Sequence, residues 1–430
     1  MAGHRRDRGR GRYGRYGSGV YRKAARTRRG SAGVAVAVVA AVLVVASVVA
    51  FLCLPNIRRG GDAAPTGGSG PSSLTRGGTP APGDPVTARA KALVDGMTLE
   101  ERVGQLVMAP LFAGDDPSVL EDAISGRHVG SVLVIGNWRG GVADVRRAVD
   151  TLQSYAPQGA GLIVATDQEG GQVQHLSGAG FDEMPSAVEQ GRMDPARLRS
   201  SAAGWGGQLA QAGVNVDLAP VTDTVVGERS ANDPIGALDR DFGLDAAGNA
   251  SHAAAFVEGL RDAGVQASVK HYPGLGAVKG NTDFTAEGIV DTTTTADGAE
   301  ISAFHTVIGQ ARPAMVMMSL ATYQSIDAAN PAAFSSTIID GVLRGRQGFD
   351  GVVTSDSLSA TAVSGTPTDQ LGVRLVEAGG DLACIGQSGY VTPILDGLEA
   401  KAKADDAFAA KVARSAERVV RLKLRMGLMH

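Results

Sequence analysis

The sequence predicts an α/β fold, a (β/α)8 barrel of the TIM type preceded by a single transmembrane helix. Three observations lead there. Across residues 87–430, eight short apolar runs alternate with helix-like segments. Fully apolar strands separated by helices imply a parallel sheet covered on both faces. Several runs stop abruptly on polar groups: 161–167 ends on Asp167, 267–271 on Lys270 and His271, and 351–356 on Asp356. Polar side chains at strand C-termini are what a barrel enzyme needs, because its site is assembled on that face. Finally, residues 33–54 contain no charge over 22 positions, long enough to span a bilayer as a helix.

Residues 1–30 hold 11 Lys+Arg against the single Asp7. This basic tail precedes the apolar segment, which sets the N-terminus inside and the body outside the cell membrane. A cleaved signal peptide is the competing reading, although both its regions are long for one. A lipid-modified Cys53 is a third, and Leu52 before it is larger than such sites prefer. Residues 55–86 are rich in Gly, Pro, Ser and Thr and read as a flexible linker. The remainder of the chain carries 30 Lys+Arg against 43 Asp+Glu, a net of −13 beyond residue 30. That acidity argues against nucleic acid as a partner of the barrel. Cys53 and Cys384 suggest neither a disulfide framework nor a metal site, and the seven His are scattered without ligand-like spacing. No cofactor is expected.

The candidate strands are 104–111, 129–135, 161–167, 214–219, 267–271, 314–320, 351–356 and 379–385. The first overlaps Glu100 to Met108, which reads equally as helix after the capping signal Thr98-Leu99-Glu100-Glu101. A doubly wound open sheet is the alternative, but there is no GxGxxG after the first strand and no GxxxxGK[ST]. The helix at 406–426 follows the eighth strand, so a barrel with no second catalytic domain is expected.

The densest chemistry lies in Lys270-His271-Tyr272-Pro273-Gly274 and in Asp167-Gln168-Glu169-Gly170-Gly171. With Ser355-Asp356, these runs resemble glycoside hydrolase family 3, particularly its single-domain β-N-acetylglucosaminidases. Weaker matches in the same order are Met97 to Glu101, Val216 to Val221, Asp239-Arg240-Asp241-Phe242-Gly243 and Gly348 to Gly351. The resemblance spans about residues 90–427. It implies a retaining β-glycosidase with Asp356 as nucleophile and Asp167, Arg240, Lys270 and His271 on the sugar hydroxyls. Lys270 and His271 are adjacent and would face opposite ways on a regular strand, so both reach one site only where the strand is ending. Asp217 reads as a structural carboxylate in mid-strand.

The chain departs from the family where the acid/base is expected. The family's Asp-x-His pair corresponds to Asn281-Thr282-Asp283, its Gly-His-Gly to Gly274-Leu275-Gly276, and the Arg after its first motif to Gln172. Asp283 takes over as acid/base if burial or a neighbouring carboxylate raises its pKa. Otherwise Asn-Thr-Asp is ordinary turn chemistry. Glu169 and Glu287 are lesser candidates. The resemblance favours N-acetylglucosaminides of wall or chitin-like glycans. The alternatives are a β-glucosidase or β-xylosidase, or a catalytically impaired glycan-binding protein at the cell surface. Nothing in the sequence specifies an oligomeric state.

Overall fold

The computed structural model describes residues 84–430. The basic tail, the apolar segment 33–54 and the linker up to residue 83 lie outside the described residues. Among the described residues, no helix is long and apolar enough to cross a membrane.

All eight expected strands form. They are β1 (Val107–Phe112), β2 (Ser131–Ile135), β3 (Ile163–Thr166), β4 (Val216–Asp217), β5 (Gln266–Tyr272), β6 (Met315–Met318), β7 (Val352–Ser355) and β8 (Ala383–Cys384). They run parallel in the order 7-6-5-4-3-2-1-8. A bridge between Thr354 and Leu382 joins the two ends and closes the barrel. The ambiguity at the first strand resolves into both elements. Leu99–Gly104 is helical, with Thr98 and Glu101 forming a complete capping box, and the strand starts only at Val107. The other strands except β5, which runs from Gln266 to Tyr272, are also shorter than their apolar runs, because regular ladder pairing covers only part of each buried stretch.

Side chains alternate across the barrel wall, as the two-residue strand period requires. Met108, Leu133, Ile163, Val216, Met315, Val352 and Leu382 fill the interior. Val107, Ala109, Val132, Val134, Val164 and Val353 face the helical layer. That layer includes Val142–Tyr155, Pro195–Gln211, Ala246–Asp262, Ala299–Ala311, Thr368–Glu377 and Val391–Ala404. The final helix, Asp406–Arg425, packs on Pro85–Gly96 and sends Val419 and Leu422 into the interior cluster. Lys423 on that helix is 1% exposed, and its Nζ donates to Gln105 Oε1 at 2.8 Å. Burial pulls its ammonium down to about 7.

At the closing seam, Asp381 supplements the backbone pairing. Its Oδ2 accepts from Val353 N at 2.9 Å and Arg344 Nη2 at 2.7 Å, and its Oδ1 from Arg418 Nη1 at 3.0 Å.

Candidate active site

The C-terminal ends of the strands bring the sequence-predicted residues together. Asp356 follows β7; its N–H donates to Met318 O at 2.9 Å, and its Oδ1 accepts from Ser357 N at 2.7 Å. Asp167 follows β3, and Lys270 lies near the end of β5. Lys270 Nζ is buried and bridges two carboxylates, Asp167 Oδ1 at 2.5 Å and Glu169 Oε1 at 2.6 Å. Burial alone would lower the Lys270 ammonium, but Asp167 and Glu169 outweigh it and hold it above its ordinary value.

Glu169 is the hub of this cluster. Arg240 reaches it with two hydrogen bonds, Nε to Oε2 at 2.9 Å and Nη2 to Oε1 at 2.7 Å. Burial would raise the Glu169 carboxyl, yet Arg240 and Lys270 together hold it well below the usual carboxylate range. The turn that presents Glu169 needs glycine: Gly170 has φ +98°, and a Cβ there would lie 2.3 Å from Pro185 O. Arg240 is aimed by its neighbours. Asp239 and Asp241 both grip Arg229, with Asp241 Oδ1 at 2.7 Å from its Nη2, which fixes the loop around Arg240.

His271 sits beside Lys270 across a cis peptide bond. β5 bulges against β6 between Val269 and Tyr272, just before the strand ends, and this irregularity falls on the two adjacent site residues. His271 is only 3% exposed. Its Nδ1 meets Asp223 Oδ2 at 2.7 Å, while Asp223 Oδ1 accepts from His271 N and Leu275 N, each at 3.0 Å. A carboxylate accepts only, so Nδ1 carries the proton that faces Asp223. Gly276 permits this packing, since a Cβ there would fall 1.7 Å from Thr224 O. Asp217 is a buried structural acid. Its Oδ1 accepts from Gln168 N at 3.0 Å, its Oδ2 has no hydrogen-bond partner among the described residues, and burial pushes its pKa well above the usual range.

Asp283 combines both of its sequence readings. It stands in a turn, with its N–H donating to Asn281 Oδ1 at 3.0 Å. The residue is exposed to solvent. Desolvation by the neighbouring protein, followed by the charge of Asp356, pushes its pKa up to about 6. Arg240 and His271 pull the other way and Asp167 adds to the rise, so Asp283 lies within the field of the whole cluster. Glu287 is exposed, with its N–H on Thr285 Oγ1 at 2.9 Å.

Sequence reasoning did not pick out Asp223, and it treated Glu169 only as a lesser acid/base candidate. Asp223 had a faint signal, a carboxylate after the apolar run that ends at Ala219-Pro220. Its partner His271 lies 48 residues away.

The fold and this strand-end cluster define a barrel glycoside hydrolase. Residues 98–422 match the model of the glycosyl hydrolase family 3 N-terminal domain, and the chain belongs to that family. Beta-hexosaminidase LpqI of Mycobacterium tuberculosis is 30% identical over 378 residues, covering 84% of this chain and 92% of the relative. The crystal structure of the β-N-acetylhexosaminidase of Beutenbergia cavernae superposes with a TM-score of 0.73 at 44% identity, covering 75% of this chain and 97% of that one. The family 3 β-N-acetylglucosaminidase of a Paenibacillus species superposes with a TM-score of 0.66 at 28% identity, over 77% of this chain and 63% of that one.

Proposed function

We propose that this protein is a retaining β-N-acetylhexosaminidase that removes terminal β-linked N-acetylglucosamine from wall or chitin-like glycans. The observation that carries the reading is the pairing of Asp283 with Asp356 on the loops after β5 and β7. Desolvation and then the charge of Asp356 raise the Asp283 carboxyl to about 6. Two carboxyl groups with divergent environments are the requirement for double displacement.

Asp356 attacks the anomeric carbon and the glycosidic C–O bond breaks, while Asp283 passes its proton to the departing oxygen. The products are a glycosyl ester on Asp356, a free alcohol and an ionised Asp283. Forming the ester removes the Asp356 charge, which was one cause of the raised Asp283 pKa. Asp283 then takes a proton from the water that attacks the ester, releasing the sugar and restoring both groups. Asp167, Arg240, Lys270 and His271 hold the sugar hydroxyls. Glu169 is unsuited to proton transfer because two cations keep it ionised. Glu287 is unsuited because it lies outside the cluster.

The names and structures of the relatives support the sugar assignment. The apolar segment 33–54 and the preceding basic tail support a single-pass anchor with the barrel outside the cell. The test is a panel of aryl β-glycosides, with Asp356→Ala as control. Turnover of the N-acetylglucosaminide above the glucoside and xyloside, abolished in the variant, is the expected result. Preference for another sugar refutes the substrate. Folded protein that binds glycans without any turnover refutes the enzyme and leaves a surface glycan-binding protein.

A further inference from the structure

Asp283 stands on the loop after β5, but part of what fixes it belongs to the loop after β7. Thr361–Val363 forms a short 3-10 turn five residues beyond Asp356. The first N–H groups of a helical turn have no partner inside it and must find one elsewhere. Here they find the carbonyls of the Asp283 loop. Thr361 N donates to Asp283 O at 3.4 Å and Ala362 N to Thr282 O at 3.0 Å. Thr361 Oγ1 donates to the same Asp283 O at 2.8 Å. These three hydrogen bonds tie residues 282 and 283 to the loop after β7.

The turn is itself anchored. Leu358 N donates to Cys384 O at 2.9 Å, tying the loop to β8. Ser359 Oγ accepts from Gly386 N at 3.2 Å and shares a hydrogen bond with Ser357 Oγ at 2.9 Å. Asp356, Thr361 and the backbone of Asp283 therefore form one connected frame. Within its own loop, Asp283 has the turn bond to Asn281, and the loop base is closed by Gly280 N to Gly288 O at 3.2 Å.

We propose that Thr361 is a positioning residue that latches the acid/base loop to the nucleophile loop, so that Asp283 is held where it meets the leaving group. This rests on Asp283 being the acid/base. The physical demand is geometric: a proton donor must lie within hydrogen-bond reach of the oxygen it serves, and misplacement by an ångström is costly. The latch also holds the carboxyl near the groups that raise its pKa to about 6.

The test compares Thr361→Val, Thr361→Ser and Asp283→Asn in the full-length protein. The substrates are aryl β-N-acetylglucosaminides with good and poor leaving groups. Thr361 is exposed, so valine is tolerated sterically and removes only the hydroxyl donor. One net hydrogen bond predicts that kcat/KM on the poor leaving group falls about three- to tenfold. On the good leaving group it should stay within about twofold, because little acid assistance is needed there. The alkaline limb of the pH profile moves to lower pH, and Thr361→Ser restores both. Equal losses on both substrates, or no loss on either, overturn the latch. If Asp283→Asn discriminates between leaving groups and Thr361→Val does not, the latch fails and the acid/base assignment stands. If Asp283→Asn does not discriminate either, the acid/base assignment fails first and the latch falls with it.

Discussion

Replacing Asp283 with asparagine removes the proposed proton donor, whose availability follows from its surroundings. At a pKa of about 6, the acid form is about nine-tenths populated at pH 5 and about one-tenth at pH 7. At the ordinary 3.8 it would be below about one in a thousand at pH 7, so burial and Asp356 raise the working fraction about 150-fold. For a poor leaving group, wild-type kcat/KM should fall about tenfold between pH 5 and pH 7 and keep falling with unit slope. Asp283→Asn should lower it about 10²- to 10⁴-fold at pH 5 and erase that limb. Good leaving groups should lose far less. The measurement is a pH–kcat/KM series on paired aryl substrates, with buffers matched in ionic strength. An alkaline limb that survives in Asp283→Asn would refute the argument, because another group would then be supplying the proton.

Three further outcomes follow from the same geometry. Glu169→Gln removes the charge that holds Arg240 and Lys270; it should destabilise the protein by about 3–5 kcal/mol in denaturant titrations and raise KM more than it lowers kcat. Lys423→Met should stabilise the fold at pH 7. The ammonium is depressed from 10.5 to about 7, so its cost is absent above pH 10.5, grows as pH falls and is complete below 7. That cost reaches about 5 kcal/mol, less about 1–3 kcal/mol for the Gln105 oxygen left without its donor. Urea titrations showing no gain at pH 7 over pH 10 would refute it. Deleting residues 1–54 should move the protein from the membrane to the soluble fraction of lysed cells with activity intact; persistence on the membrane would refute the anchor.

Much of the barrel was legible because its signal is local. An apolar run of four to seven residues that stops on Asp167, Lys270-His271 or Asp356 states both the strand and the end that bears the site. The capping box at Thr98 announced its helix in four residues. The hub residues were harder to read, because their meaning lies in distant partners. Glu169 acquires its role only when Arg240 arrives from 71 residues away. Asp223 acquires its role from His271, and Thr361 from a carbonyl 78 residues away. Strand lengths were overestimated for a related reason: hydrophobicity marks burial, whereas the ladder that defines β4 or β8 covers only two residues.

The join between β7 and β8 gives the barrel a direction of weakness. β1 and β2 share five register pairs, whereas β7 and β8 meet at one bridge, with Ser355 N on Leu382 O at 3.1 Å, Leu382 N on Val353 O at 3.1 Å and the Asp381 carboxylate on Val353 N. Breathing of the wall should begin along that line, directly below Asp356. Amide hydrogen exchange would show it as earlier labelling of Val353, Ser355 and Leu382 than of the β2 amides. Asp356 thus stands above one of the shorter joins in the wall, while the Thr361 turn and the anchor to β8 lie on the same loop.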